Sequence, residues 1–325
     1  MGQNSQNPSQ KRESFSAPSE KEDPIDSTIF VLSTFRSGST LLARTLGEHS
    51  AVFYSRQRHF ELSPDLCRFA RIKIAAVKTN IRSCPPYNES HASDSIARSL
   101  RNGLSQVLGE KTSFSKSRLL VKNPHLWNKV RLITEIFPKS SFIVLSRDIL
   151  STVASTKMLL KRIHKEYGVY HFLPEDPLQC WQLIFPGDNL PKNRMRLFPG
   201  GDVSVLAEYW CRVYRHINSS MPNFQKVIYV SHNRLVEDFN GVMDHIFEEL
   251  ALPKERIYPR REIESSRNLR WHKKLSRAEI GSLREFLSRN LEDIKELSHA
   301  LPFWEPNLNH TRKSRKIVEP LQNWF

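Results

Sequence analysis

The most constraining feature of the chain is a short apolar run that gives way abruptly to small and hydroxyl-bearing residues. Ile29-Phe30-Val31-Leu32 leads into Ser33-Thr34-Phe35-Arg36-Ser37-Gly38-Ser39-Thr40, and then into a stripe of Leu41, Leu42, Thr45 and Leu46 followed by Gly47. Four successive apolar residues suit a strand buried on both faces, the habit of parallel sheets. The stripe has helical spacing, and Gly47 is a stop signal. Strand, tight loop and helix in that order open an α/β domain. Small residues at 37–40 let backbone wrap closely around an anion. A helix starting near Ser39 points free N–H groups and its positive dipole end at the same place, and Arg36 adds a permanent charge. The same residues also read as a hydroxyl-rich turn that caps a helix. The loop lacks the Lys of G-x-x-x-x-G-K-[ST] and does not spell G-x-G-x-x-G.

The rhythm repeats downstream. Leu119-Leu120-Val121 and Phe142-Ile143-Val144-Leu145 are further buried strands, and Val227-Ile228-Tyr229-Val230 is a fourth. Helical spacing is read over Leu126 to Phe137, Ile149 to Ile163, residues 205–217, Leu235 to Leu252 and Ser276 to Leu297. Alternating strands and helices predict a three-layer α/β domain: a central, mostly parallel sheet with helices on both faces. Residues 1–26 are polar and read as a disordered tail, leaving 27–325 as a single domain. Residues 164–203 carry Pro174, Pro177, Pro186, Pro191 and Pro199 among aromatics, and read as an irregular insertion.

Composition narrows the partners. The 49 basic residues exceed the 34 acidic ones, giving +15, a field that draws anions without choosing among them. No recognisable nucleic-acid module is present, so nucleic acid is not an expected partner. No apolar run approaches the length of a membrane span. The first 27 residues hold no hydrophobic segment, so a cytoplasmic protein is expected. Cys67, Cys84, Cys180 and Cys211 form no C-x-x-C pair, so neither a zinc site nor a disulfide framework is indicated.

Arg147 ends the Phe142–Leu145 strand, where α/β proteins place ligands, and Ser155 lies about two helical turns further on. Here the sequence resembles a known family. Phe35-Arg36-Ser37-Gly38-Ser39-Thr40-Leu41-Leu42 is similar to the 5′-phosphosulfate loop of sulfotransferases that use 3′-phosphoadenosine 5′-phosphosulfate (PAPS). Phe142-Ile143-Val144-Leu145-Ser146-Arg147-Asp148, with Ser155 behind it, resembles their 3′-phosphate motif. Leu120-Val121-Lys122-Asn123-Pro124 resembles the Lys-x-Pro segment of the Golgi-type and bacterial branches. The resemblance covers residues 28–60 and 119–158. It implies a P-loop NTPase-like sulfotransferase fold and transfer of a sulfuryl group to a hydroxyl or amine. PAPS is then the co-substrate, PAP the product, and no metal is needed. It further implies that Arg36, Ser37, Gly38, Ser39, Thr40 and Leu41 hold the phosphosulfate and that Arg147 and Ser155 hold the 3′-phosphate. Lys122 is implied to stabilise charge on the departing phosphate.

The general base stays open. Gln57 stands where this branch usually carries a Glu, and the adjacent candidates are His59 and Glu61, with a helix cap and a core histidine as their plain alternatives. The acceptor is a small molecule or a glycan. Tyr167, Tyr170, His171 and Trp181 either stack on it or anchor their own segment. Arg267 to Lys274 either closes over the nucleotide or is a solvated basic loop. Two other readings remain: a sulfotransferase-like module that binds PAP(S) or a polyanion without turnover, favoured by Gln57, and a nucleotide kinase, disfavoured by the missing Lys. The oligomeric state is not specified.

Overall fold

The computed structural model describes residues 25–54, 82–109, 118–259 and 270–300. Among these, a five-stranded sheet has the order β2-β3-β1-β4-β8, with β1 Ile29–Leu32, β2 Val52–Phe53, β3 Arg118–Lys122, β4 Ser141–Ser146 and β8 Lys226–Ser231. Every pairing in it is parallel. All the strands therefore end on one edge, with β1 in the middle.

The burial of β1 explains the layers. Ile29 and Val31 face one side, where they pack with Leu42, Ala43 and Leu46 of helix α1 (Ser39–Leu46) and with Met243, Ile246 and Phe247. Phe30 and Leu32 face the other side and join a larger core. Period-2 alternation of entirely apolar residues is what a strand between two helical layers requires. The second layer comprises α2 (Asp94–Gly109), α3 (Val130–Ile136), α4 (Ile149–Tyr167) and α5 (Val203–Ser220). It also holds α8 (Arg277–Arg289) and α9 (Leu291–Ala300). Helices α6 (His232–Glu237) and α7 (Phe239–Glu249) lie with α1. The three-layer α/β architecture read from the sequence is the one observed.

Four boundaries differ from expectation. Ile25 is 2% exposed and Asp26 lies 2.6 Å from Arg101, so packing begins inside the segment read as a tail. The 235–252 segment breaks at Asp238, whose side chain caps α7 by accepting from Gly241 N. The 276–297 segment breaks at Asn290, whose side chain donates to the Phe286 carbonyl. Finally, the 164–203 segment contains a three-stranded antiparallel sheet, ordered β6-β5-β7, from β5 Tyr170–Phe172, β6 Gln182–Ile184 and β7 Leu197–Phe198. Strands of two or three residues between prolines carry too little periodicity to be seen in a sequence.

Candidate active site

The loop after β1 is built by two left-handed residues, Arg36 at φ 63° and Gly38 at φ 96°. Curling of this kind turns successive backbone N–H groups toward one point. Gly38 is the residue before α1 and makes no side-chain cap, and the first turn of α1 holds no acidic residue. Among the described residues, the positive end of the helix is thus left without a side-chain cap or a first-turn acid, as suits an anion site. A left-handed Arg costs about 1–2 kcal/mol, and its carbonyl is held at 3.0 Å by Arg147 Nη1. Ser37 turns its hydroxyl inward to the Thr34 carbonyl, 2.9 Å away, so it shapes the loop. Ser39 is buried, Thr40 exposed, and Leu41 donates its backbone N–H to the Gly38 carbonyl at 2.8 Å.

Sheet order places the other charges on either side of this loop. Lys122 ends β3, with Val31 of β1 as its register partner. Arg147 follows β4 on the opposite flank. Its backbone is fixed from behind by α5: Trp210 Nε1 donates to the Arg147 carbonyl at 3.0 Å, and Tyr214 Oη to the Leu145 carbonyl at 2.8 Å. Arg36 Nε donates to Ser155 Oγ at 3.0 Å, tying the loop to α4. Ser155 thus meets Arg36 here, where the resemblance had paired it with Arg147.

These cations crowd one another. Burial first, then Arg44 and Arg36, pull the Lys122 ammonium down to about 8. Burial also lowers Arg147, with Asp148 opposing and Arg36 adding to the shift, and burial followed by Arg162 lowers Arg36. Asp148 is the acid beside Arg147. Its carboxylate caps α4 by accepting from Ser151 N at 2.7 Å, and burial raises its proton affinity against the pull of Arg147. Lys274 is lowered by burial and then by Arg147, Arg36 and Arg270, so the basic segment near Trp271 reaches the same site. Lys157 holds it there through the Lys274 carbonyl and Glu279. Such a set of mutually repelling cations is stabilised by a multiply charged anion.

The structure therefore brings together Arg36, Ser37, Gly38, Ser39, Thr40, Leu41, Lys122, Arg147 and Ser155. Gln57, His59 and Glu61 lie outside the described residues. His171 and Trp181 are both fully buried, so of their two readings the anchoring one holds. Tyr167 and Tyr170 remain partly exposed.

Two things escaped the sequence. His232, first residue of α6, packs its ring against Gly38. Its position directly after a parallel strand, matching that of Arg147, was the available signal. The second corrects the reading that no metal-type cluster exists: Cys84, His125 and Cys180 are buried with their ligand atoms all within 4.8 Å. The residues do not fit an ion well. His125 Nδ1 is taken by Trp181 Nε1 at 3.1 Å, and the Lys129 ammonium sits 3.3 Å from Cys84 Sγ. Burial, above all, holds the Cys180 thiol protonated. The group is a hydrogen-bonded plug that also touches Phe35 through the His125 ring, 4.9 Å centre to centre.

Comparison with known proteins follows the same lines. A family model described as "Sulfotransferase family" matches residues 28–201. Similar solved structures include the sulfotransferase domain from the Synechococcus PCC 7002 olefin synthase, at 13% identity over 84% of this chain and 98% of that one, TM-score 0.47. The sulfotransferase from Alicyclobacillus acidocaldarius is similar at 12% identity over 84% and 96%, TM-score 0.49. Mouse sulfotransferase SULT7A1 complexed with PAP is similar at 12% identity over 86% and 89%, TM-score 0.41. No curated protein matches the sequence.

Proposed function

This chain belongs to the sulfotransferase family, and from that premise we propose that it moves a sulfuryl group from PAPS to a hydroxyl or amine of a small molecule or glycan. The observation that carries the reading is the convergence of Arg36, Lys122 and Arg147 on a loop whose helix start has no acid of its own. The backbone of Arg36–Leu41 holds the phosphosulfate end, and Arg147, with Ser155 nearby, receives the 3′-phosphate. The acceptor oxygen or nitrogen attacks sulfur in line. The bond from sulfur to the 5′-phosphate oxygen breaks, and PAP carries away the electron pair. Lys122 faces that developing charge with an ammonium that is still mostly protonated at pH 7. The acceptor proton goes to a base, for which His59 and Glu61 are the candidates. Positioning and electrostatics supply the rate, as in other loose, highly charged displacements.

Melting curves with PAP, and with adenosine 5′-phosphate as the control lacking a 3′-phosphate, test the nucleotide site. A ligand at about a hundred times its Kd adds roughly 2.7 kcal/mol to the folded state. Stabilisation by PAP well beyond the control, followed by transfer of label from PAPS to a member of an acceptor panel, is the expected result. No shift at millimolar PAP defeats the proposal. Stabilisation without transfer to any acceptor favours the binding module that Gln57 suggests.

A further inference from the structure

We propose that His232 is a hydrogen-bond donor to the 5′ end of the nucleotide, reaching it across Gly38. The inference rests on the reading of the 36–41 loop given above and adds a residue to it.

Ser231 and Ser146 are register partners on β8 and β4, so His232 and Arg147 leave neighbouring parallel strands side by side on the ligand edge. The imidazole then lies directly on the loop. A Cβ built at Gly38 would meet His232 Cδ2 at 2.2 Å and Nε2 at 2.8 Å. Glycine is needed there twice, for its φ of 96° and for the space the ring fills. The Cδ2–Nε2 edge is thus the part of the ring turned to the anion-binding loop.

That edge is chemically idle within the protein. His232 is 9% exposed, its Nε2 makes no hydrogen bond among the described residues, and on the other side of the ring Nδ1 is buried, also without a partner among them. Burying polar atoms unmatched is costly, and native proteins rarely do it without a use. The charged side chain beside the ring is Arg147, a donor and a cation, so the acceptor nitrogen of the neutral ring is Nδ1 and the proton sits on Nε2, a donor with no acceptor among the described residues.

The role is that of a donor and not of a base. Burial, followed by the charge of Arg147, drives the His232 imidazole down to about 3. At neutral pH it carries one proton and resists taking a second. A neutral imidazole of this kind polarises an oxygen by donating to it. In a site already crowded with positive charge, it adds a directed N–H without further repulsion.

Binding of three ligands separates the possibilities: PAP, adenosine 5′-phosphate and adenosine 3′-phosphate, each titrated calorimetrically into the wild type, His232→Ala and His232→Gln. The alanine variant is expected to lose about tenfold in affinity for PAP and for adenosine 5′-phosphate, as for one hydrogen bond to a charged group. Its affinity for adenosine 3′-phosphate should not change. Glutamine, whose amide nitrogen reaches the place of Nε2, should restore most of the loss. Should the alanine variant show no cooperative melting, His232→Leu fills the space without a donor and takes its place. An equal loss for adenosine 3′-phosphate, or undiminished 5′-phosphate binding in the variant, overturns the proposal. Failure of the wild type to bind PAP is a different result and removes the underlying reading of the loop.

Discussion

Two clusters of basic side chains in this protein are built on opposite terms. Where the small antiparallel sheet meets α5, Arg196 and Arg212 share Glu208, at 2.7 and 2.6 Å. Arg212 also donates to the carbonyls of Pro174 and Asp176, both at 2.9 Å. At the C-terminal edge of the main sheet, Arg36, Lys122 and Arg147 gather at the loop after β1, and the acid beside Arg147, Asp148, is committed to capping α4. Arg36 gives its Nε to a neutral serine and Arg147 an N–H to a backbone carbonyl. The first cluster contains its own anion and fastens two parts of the fold. In the second, burial first and then neighbouring cations lower the proton affinity of Arg36, Lys122 and Arg147, the condition of a site that favours an anionic ligand.

The contrast predicts separable losses. Lys122→Ala should cut turnover by about 100- to 1000-fold, the scale of losing one aimed charge from a developing oxyanion, while PAP affinity falls far less. Equal losses in single-turnover rate and PAP binding would make Lys122 a simple binder. Arg147→Ala should weaken PAP by about 100-fold and spare adenosine 5′-phosphate; calorimetry with both ligands decides it. The unliganded protein should melt at nearly the wild-type temperature, because the repulsion removed offsets the hydrogen bond lost. Glu208→Ala should do the reverse. Urea unfolding should show a loss of about 2 kcal/mol, below the range for fully buried pairs because Glu208 is partly exposed, with PAP affinity of the folded protein intact. If Glu208→Ala changed PAP binding as much as Arg147→Ala did, the two clusters would not be distinct.

The smallest effect concerns pH. Lys122 has its proton affinity lowered from 10.5 to about 8. Between those values the unfolded chain holds a proton at this position that the folded chain has released, so stability contributed there rises with pH. PAP affinity should move the other way, falling a few-fold between pH 7 and 9 as the ammonium is lost. Opposite slopes in melting and in PAP titration are expected for the wild type. Lys122→Arg, which keeps its charge, should flatten both.

Much of this was legible in the sequence because the relevant signals are local. Ile29–Leu32, Leu119–Val121 and Phe142–Leu145 are apolar on both faces, and each is followed within four residues by the residue it presents, which fixes Arg36, Lys122 and Arg147 on one edge as soon as the strands are parallel. What stayed hidden depends on distance along the chain. The strand before His232 places it on the ligand edge but does not announce that its ring will rest on Gly38, and Cys84 and Cys180 meet only because the small sheet brings Trp181 alongside Cys84. The short strands of that sheet pack against α4, and Arg196 and Arg212 tie their segment to Glu208 of α5, contacts that their own pattern does not register. Helix breaks at Asp238 and Asn290 follow from side chains that bond the backbone locally, a competition that apolar spacing does not register.

The hydrogen bond from Arg36 to Ser155 also has a consequence in time. A guanidinium has five N–H donors, and among the described residues Arg36 gives one of them, to Ser155. The loop is thus held in place before any ligand arrives, while most of the fork stays available. Arrival then requires no rearrangement of the arginine, and the pull of the surrounding cations accelerates it. Association should therefore be fast and should slow steeply with added salt, whereas departure should be slow and nearly indifferent to salt, because it breaks contacts at short range.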